Sequence, residues 1–370
     1  MPKRKLDSLQ VLRGFAAIAV VANHAFRAVT VNKPDWISLP APILLGSDRL
    51  VNIGAFGVDI FFVLSGFLMI FIAKPYVARV KPVGDFIAHR LIRIWPLYFL
   101  VTFFQCALYL RVAVKSGVIP YDLRPFRLMS FLFVPSFNES HLLQPIIGPG
   151  WTLNYEMLFY ACFAVALFIG RTNVLAAIAG LLVTLFVAGT LLPSASVLGG
   201  FLSNGILFEF LFGAIIAEFF LNGGLAGIGA SWWIGAGLLS LAVLSYWPGD
   251  GNYRVFTRGI PAAILFLGML GLSENVAWPK LFIVFGNASY SIYLTHSFVV
   301  YQVSDRILRF CAGHAMASFA AALTSLLAIV IAVIFGIVVY YLVEKPLLGY
   351  CKGLYAKRNI GAVSEAASST

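Results

Sequence analysis

The chain has 370 residues, of which 61% are hydrophobic and only 11% are charged. Because soluble domains carry about 25% charged residues, this composition excludes a soluble domain and indicates an integral membrane protein. The formal net charge of +11 suits cytoplasmic loops and a phosphate-bearing ligand or anionic headgroups, whereas the soluble basic face that nucleic-acid binding requires is missing.

Apolar runs of about 20 residues recur along the chain and predict an all-α, polytopic membrane bundle rather than an outer-membrane barrel. Basic residues before the first span and after the last predict that both termini are cytoplasmic. Residues 1–350 are predicted to form one membrane domain, and the small, polar residues 351–370 a disordered cytoplasmic tail. The ten predicted spans lie near 9–29, 53–72, 91–112, 151–169, 173–192, 201–221, 230–247, 257–273, 284–304 and 316–343.

The first span contains RGFAAIAVVANHA, with Arg13 and His24 eleven residues apart. Eleven helical steps amount to three turns plus about 20°, so both side chains lie on one stripe, separated by roughly 16 Å. Polar groups on one stripe inside a membrane face a cavity or another helix. The alternatives are that Arg13 snorkels to the headgroups and that His24 serves only helix packing.

Two carboxylates and two arginines follow in apolar surroundings. Asp59 lies in GVDIFFVLSGFL and Glu156 in WTLNYEMLFY, and each carboxylate needs a partner because burying it in hydrocarbon costs at least ~2.5–3.5 kcal/mol. Their depths predict that both lie with His24 toward the exterior, although a structural salt bridge is the alternative. Arg90 and Arg93, in HRLIRIWPLY, lie near the cytoplasm as an anion site or as membrane anchors.

Two further residues have competing interpretations. His296, in SYSIYLTH, is either a hydrogen-bond partner for its surroundings or a catalytic group, and Ser65, in VLSGF, is a small packing residue rather than a nucleophile. Metal-ligand spacing such as HExxH is absent, so we predict neither a metal nor a tightly bound cofactor.

Six ordered blocks resemble the acyltransferase-3 family of bacterial integral membrane acyltransferases, in the stand-alone form similar to exopolysaccharide O-acetyltransferases of the ExoZ type. The blocks are RGFAAIAVVANH, FGVDIFFVLSGFL, HRLIRIWPLYF, WTLNYEMLFY, ASYSIYLTH and VEKPL. The resemblance implies that an acyl group, usually acetyl, moves from cytoplasmic acyl-CoA to a hydroxyl of a lipid-linked or surface polysaccharide. It also implies a location in the bacterial inner membrane.

Carried over by position, the resemblance makes His24 the essential histidine and Arg13 its paired arginine. Arg93 matches the second arginine of its block, while Arg90 follows His89 where the family has an Arg-Arg pair. His24 is therefore predicted as general base with Asp59 or Glu156 as its carboxylate partner. The other predicted roles are coenzyme A binding by Arg13, Arg90 and Arg93 and substrate binding by Tyr155, Tyr293 and His296.

Three other mechanisms or functions compete with direct transfer. An acyl-enzyme on Ser65 or His296 would make the reaction ping-pong. A proton-coupled transporter or flippase would use the same histidine and carboxylates as a proton relay and the arginines as an anion site. A purely structural membrane subunit would leave many buried charges unexplained.

Overall fold

A computed structural model describes residues 7–30, 48–170, 173–224, 229–244, 253–272, 276–311 and 317–368. Within these ranges the regular structure is helical, apart from one isolated bridge between Phe137 and Leu143. The all-α prediction is therefore confirmed for the described chain. The basic residues at positions 3–5, which oriented the first predicted span, lie outside the described residues.

The helices follow the predicted order of apolar segments. In the described ranges they are α1 (Asp7–Thr30), α2 (Asp48–Val77), α3 (Val83–Ser116), α4 (Trp151–Ile169), α5 (Val174–Thr190), α6 (Val197–Leu202), α7 (Ile206–Leu221), α8 (Ala230–Leu244), α9 (Ile260–Gly271), α10 (Lys280–Asn287), α11 (Ser289–Cys311), α12 (Ala317–Val339) and α13 (Lys345–Ser368).

Six segments of the described chain are long and apolar enough to cross a membrane, so the prediction of ten spans is not confirmed. These six are Asp7–Val29, Gly54–Val77, Val83–Ser116, Gly148–Ile169, Val197–Leu221 and Leu323–Arg358. Three further predicted spans correspond to shorter apolar helices, at Val174–Thr190, Ala230–Leu244 and Val255–Gly271. The remaining one corresponds to α11, whose many polar side chains lower its hydropathy.

The helix α1 lies at the centre of the packing. It contacts α2, α10, α11 and α12, and α2 in turn packs along α7. Ala17, Val21 and Ala25 recur every four residues on one face of α1 and are fully buried in a cluster with α11 and α12. Because these helices cover most of α1, Arg13 and His24 are only partly exposed, while Arg27 near the end of the helix is exposed.

Small residues allow α2 and α7 to approach closely. A Cβ atom on Gly66 would overlap the Phe210 carbonyl oxygen of α7, and a Cβ on Gly213 would overlap the Val63 carbonyl oxygen of α2. Close backbone contact at such residues is a common way for membrane helices to pack. The residue before Gly66, Ser65, is partly buried beside this contact.

The chain between α3 and α4 is held by Arg127, which is fully buried. Its Nη2 atom lies 2.7 Å from Asp122, and its Nη1 atom donates to Ser136 Oγ at 2.7 Å and to the Gln144 carbonyl at 2.8 Å. These contacts tie the loop to itself across the segment 127–137, which is too short to span a membrane, and the Tyr98 hydroxyl of α3 holds that segment to the bundle by donating to the Ser130 carbonyl at 2.9 Å.

The last described helix, α13, extends from Lys345 to Ser368 and so includes residues 351–368. The division into a membrane domain over residues 1–350 and a disordered cytoplasmic tail stays a prediction.

We expect Gly66→Ala and Gly213→Ala each to destabilise the protein by about 1–3 kcal/mol, because the added methyl group forces α2 and α7 apart. Gly180→Ala in α5 is the matched control, since a Cβ there has no atom within 4 Å. Thermal unfolding in detergent should show lower midpoints for the first two variants and an unchanged or higher midpoint for the control. Equal midpoints for all three would contradict the close packing.

Candidate active site

Four charged residues that the sequence singled out line one cavity of about 110 Å³ in the bundle: Arg13, Arg90, Arg93 and Glu156. We call it the Glu156 cavity. The predicted grouping of the three arginines is therefore present. Glu156, however, lies with the arginines, whereas its depth had predicted a place beside His24. Depth along a helix does not specify which side of the helix a residue faces, and α4 turns Glu156 toward this cavity.

The three arginines of the Glu156 cavity differ in their partners. Arg93 Nη1 lies 3.0 Å from Glu344 Oε1, and Glu344 also accepts a 2.5 Å hydrogen bond from Ser291 Oγ. The charge of Arg93 is therefore compensated by the glutamate of VEKPL. The Nε atoms of Arg13 and Arg90 are buried without a hydrogen-bond acceptor in the described chain. These two guanidinium groups retain donors that an anionic ligand would satisfy.

Glu156 has two hydroxyl partners. Ser65 Oγ donates to its Oε1 atom at 3.1 Å, and the Tyr160 hydroxyl donates to the same oxygen. The Arg90 guanidinium lies over the Tyr160 ring, 5.9 Å from its centroid. Ser65 therefore has a carboxylate neighbour that its local sequence did not reveal.

His24 lines a second, larger cavity of about 1260 Å³, which we call the His24 cavity. The His24 Nδ1 atom lies 3.0 Å from the Val20 carbonyl oxygen. Because a carbonyl oxygen only accepts, Nδ1 carries the proton and Nε2 carries the lone pair of the neutral ring. The backbone, rather than Asp59, thus fixes the tautomer.

A second imidazole lies beside the first. The rings of His24 and His296 have centroids 4.7 Å apart and meet edge to face. His296 is fully buried, and its Nδ1 atom donates to the Tyr293 carbonyl at 2.6 Å. Its Nε2 atom is buried and has no hydrogen-bond partner in the described ranges.

Asp59 belongs to a buried ion triad. Its Oδ1 atom lies 2.9 Å from Arg254 Nη2, and Arg254 Nε lies 3.4 Å from Glu209 Oε1. Both carboxylates are fully buried, and the Arg254 guanidinium also lies over the Trp151 ring at 5.6 Å. Arg254 lines the His24 cavity, whereas Asp59 does not and contacts the cavity only indirectly, through its ion pair with Arg254.

The sequence analysis missed Glu209 and Arg254. Glu209 could have been found by the reasoning applied to Asp59, because it is a carboxylate within the apolar run ILFEFLF. Arg254 follows a glycine-rich stretch and carries no local signal that it would enter the bundle.

The two predicted tyrosines have different surroundings. The Tyr155 ring stacks on Phe201 with centroids 4.2 Å apart, which is a packing contact of the core. Tyr293 lines both cavities, and its hydroxyl donates to the Pro149 carbonyl at 3.0 Å and lies 2.8 Å from Thr152 Oγ1.

Val58 and Tyr293 are common to the linings of the two cavities. The cavities are therefore neighbours, and these two side chains lie between them. The helix α1 borders both cavities, because it contributes Arg13 to one and His24 to the other. In the described chain no group of three or more histidine, cysteine, aspartate or glutamate side chains is arranged to hold a metal ion.

Comparison with known proteins gives the family. The acyltransferase domain model of acyltransferase family 3 matches residues 6–344. The exopolysaccharide production protein ExoZ of Rhizobium meliloti (strain 1021) is 36% identical over 306 residues, covering 80% of this chain and 90% of that protein. The acyltransferase MdmB of Streptomyces mycarofaciens is 26% identical over 397 aligned positions, covering 97% of this chain and 95% of that protein.

No solved structure matches the chain significantly. The family match nevertheless spans all the helices that form the two cavities, and the more similar relative exceeds 30% identity over most of its length. The chain therefore belongs to the acyltransferase-3 family and is a membrane acyltransferase.

Proposed function

We propose that the protein transfers an acetyl group from acyl-CoA, held at the Glu156 cavity, to a sugar hydroxyl in the His24 cavity. The observation that carries this proposal is the adjacency of the two cavities. One has arginine donors without acceptors, the other has an imidazole with a defined lone pair, and Val58 and Tyr293 lie between them.

The arginines of the Glu156 cavity suit the phosphates of coenzyme A, because guanidinium groups match phosphate oxygens with paired hydrogen bonds. A cavity of about 110 Å³ takes only part of an acyl-CoA molecule. The pantetheine arm would therefore extend past Val58 and Tyr293. Arg13 and His24 are eleven residues apart on α1, or roughly 16 Å, which an extended arm spans.

His24 would act as general base. Its Nε2 atom takes the proton of the acceptor hydroxyl while that oxygen attacks the thioester carbonyl carbon. The new C–O bond forms, the C–S bond breaks, and the imidazolium returns its proton to the departing thiolate. Asp59 and Glu209 would position Arg254 in the wall of the same cavity, and His296 would pack against the His24 ring.

The acceptor is proposed to be a lipid-linked or surface polysaccharide. Two observations support a saccharide: the relative named for exopolysaccharide production, and the aromatic and amide side chains that line the His24 cavity. We further propose the bacterial inner membrane, with cytoplasmic termini and the Glu156 cavity toward the cytoplasm, so that cytoplasmic acyl-CoA serves an acceptor on the opposite side.

Replacing the proposed base should abolish turnover without loss of the donor site. We expect His24→Asn to lower kcat by at least ~10²-fold, because a positioned base contributes that much. The measurement is thiol release by purified protein supplied with acetyl-CoA and an oligosaccharide. His141→Asn is the control, because His141 lies in an exposed loop with a φ of 56° that asparagine tolerates. Glycan movement across vesicles without thiol release would favour a transporter instead.

The donor arginines should affect acetyl-CoA affinity rather than the chemical step. We expect Arg13→Gln and Arg90→Gln each to raise KM for acetyl-CoA about tenfold or more, because a charged hydrogen bond contributes ~1.5–3 kcal/mol. Arg124→Gln, in the exposed loop after α3, should leave KM unchanged. The same variants are also measured with acetyl-dephospho-CoA, which lacks the 3′-phosphate. A variant that has lost the arginine bound to this phosphate should show similar KM values for the two donors. Unchanged KM in both variants would contradict the donor site.

The contact between Ser65 and Glu156 makes an acyl-enzyme testable. Direct transfer predicts that Ser65→Ala retains activity within about threefold, because the hydroxyl takes no part in the chemical step and the Glu156 oxygen keeps its hydrogen bond from Tyr160. Intact-protein mass spectrometry after incubation with acetyl-CoA alone should then detect no acetylated protein. An acetyl group on Ser65, together with an inactive Ser65→Ala variant, would establish the ping-pong route instead.

A further inference from the structure

The charged side chains that line the His24 cavity are all positive. Five arginines line it, and none of its lining residues in the described chain is an aspartate or glutamate. The five are Arg27, Arg111, Arg254, Arg258 and Arg306. They come from α1, α3 and α11 and from the segment before α9, so distant parts of the sequence deliver positive charge to one place.

Only part of this charge is compensated by the protein. Asp59 and Glu209 pair with Arg254. Arg27, Arg111 and Arg306 are exposed and line the cavity, and although the Asp305 carboxylate acts electrostatically on Arg306, it forms its ion pair with Arg309. Positive groups that share one cavity repel one another, and cavity walls of low dielectric strengthen that repulsion, so an anion in the cavity would be bound favourably.

One of these arginines, Arg27, lies beside the proposed base His24. Arg27 follows His24 by three residues on α1, so the two side chains are neighbours on the helix surface. An anion held by Arg27 would therefore lie close to the hydroxyl that His24 activates. The cavity, at about 1260 Å³, exceeds the ~300–1,000 Å³ of typical small-molecule sites and accommodates more than one sugar unit.

We propose that the acceptor is an anionic saccharide, and that Arg27, Arg111 and Arg306 bind its phosphate or carboxylate group. This inference rests on the proposed function and adds the substrate class to it. Guanidinium groups bind both anions through paired hydrogen bonds, while the aromatic and amide side chains of the cavity contact the sugar. A phosphate at a lipid-linked end and an acidic substituent on the glycan present the same chemistry to these arginines.

The test is equilibrium binding to the full-length protein in nanodiscs of neutral phosphatidylcholine. The probes are cellotetraose, cellotetraose 1-phosphate and cellotetraonic acid, which are respectively neutral, phosphorylated and carboxylated. We expect at least one anionic probe to bind ten times more tightly than the neutral one, with a gap that narrows as salt is raised. The anion that gains affinity distinguishes a phosphate source from a carboxylate source.

Arg27→Gln and Arg306→Gln should each reduce the affinity for the anionic probe about tenfold. Arg309→Gln is the matched control for Arg306→Gln, because it removes the same charge from α11. Arg309 pairs with Asp305 and does not line the cavity. Thermal unfolding midpoints verify that the variants fold. The inference is overturned if all probes bind equally or not at all. It is also overturned if the Arg27 and Arg306 variants keep the difference in affinity between the anionic and the neutral probe.

Phosphatidylglycerol in the nanodiscs provides a further decisive comparison. If it removes the anionic preference completely, the arginines serve bulk lipid headgroups and the inference is overturned; a persistent preference supports it. Acetyl-CoA binding, measured on the same preparations, separates this result from the proposed function. Intact donor binding and thiol release with no anion preference would leave the acyl transfer standing and remove only the anionic acceptor.

Discussion

An ionised side chain inside a membrane bundle must be paired or must face a cavity, because the hydrocarbon cannot solvate it. In this protein the buried carboxylates Asp59, Glu209 and Glu344 each lie against an arginine. Arg13 and Arg90 instead keep buried Nε donors without acceptors in the described chain and line a cavity. The described arginines therefore divide into those that pair with a buried carboxylate and those whose donors face the cavity, and the proposed function assigns the second group to the acyl donor.

The central helix α1 contributes to both cavities. It contacts α2, α10, α11 and α12, and it delivers Arg13 to one cavity and His24 to the other. Since Val58 and Tyr293 line both cavities, the proposed donor site and the proposed acceptor site are neighbours. In the proposed function this arrangement would present a thioester to the acceptor while its nucleotide end stays bound. The hydrogen bonds from Tyr293 to Pro149 and Thr152 fix one wall of this narrow region.

The carboxylates have partners that their motifs alone would not suggest. Asp59 lies against Arg254, so its influence on the His24 cavity is indirect, and the Val20 carbonyl sets the tautomer of His24. Glu156 lies beside Ser65 and Tyr160 in the other cavity. Loss of either carboxylate would leave a buried hydrogen-bonded or charged partner unsatisfied, so activity losses in such variants mix structural and chemical causes.

The sequence by itself determined the class of the protein and the grouping of the arginines. Long apolar runs force helices in a membrane, and helical periodicity alone puts Arg13 and His24 on one stripe of the first span. The family resemblance rested on six ordered motifs and is confirmed by the family match. Local sequence was sufficient here because helix formation, apolar length and motif order are properties of contiguous residues.

Only the tertiary structure decided which polar groups meet. Arg254 reaches Asp59 and Glu209, Glu344 reaches Arg93, and Glu156 joins the arginines rather than His24. The number of spans was likewise beyond local reasoning, because short or partly polar helices depend on their neighbours to be accommodated. Rise along a helix gives depth but not azimuth, and partners far apart in sequence are chosen by how the helices rotate and pack.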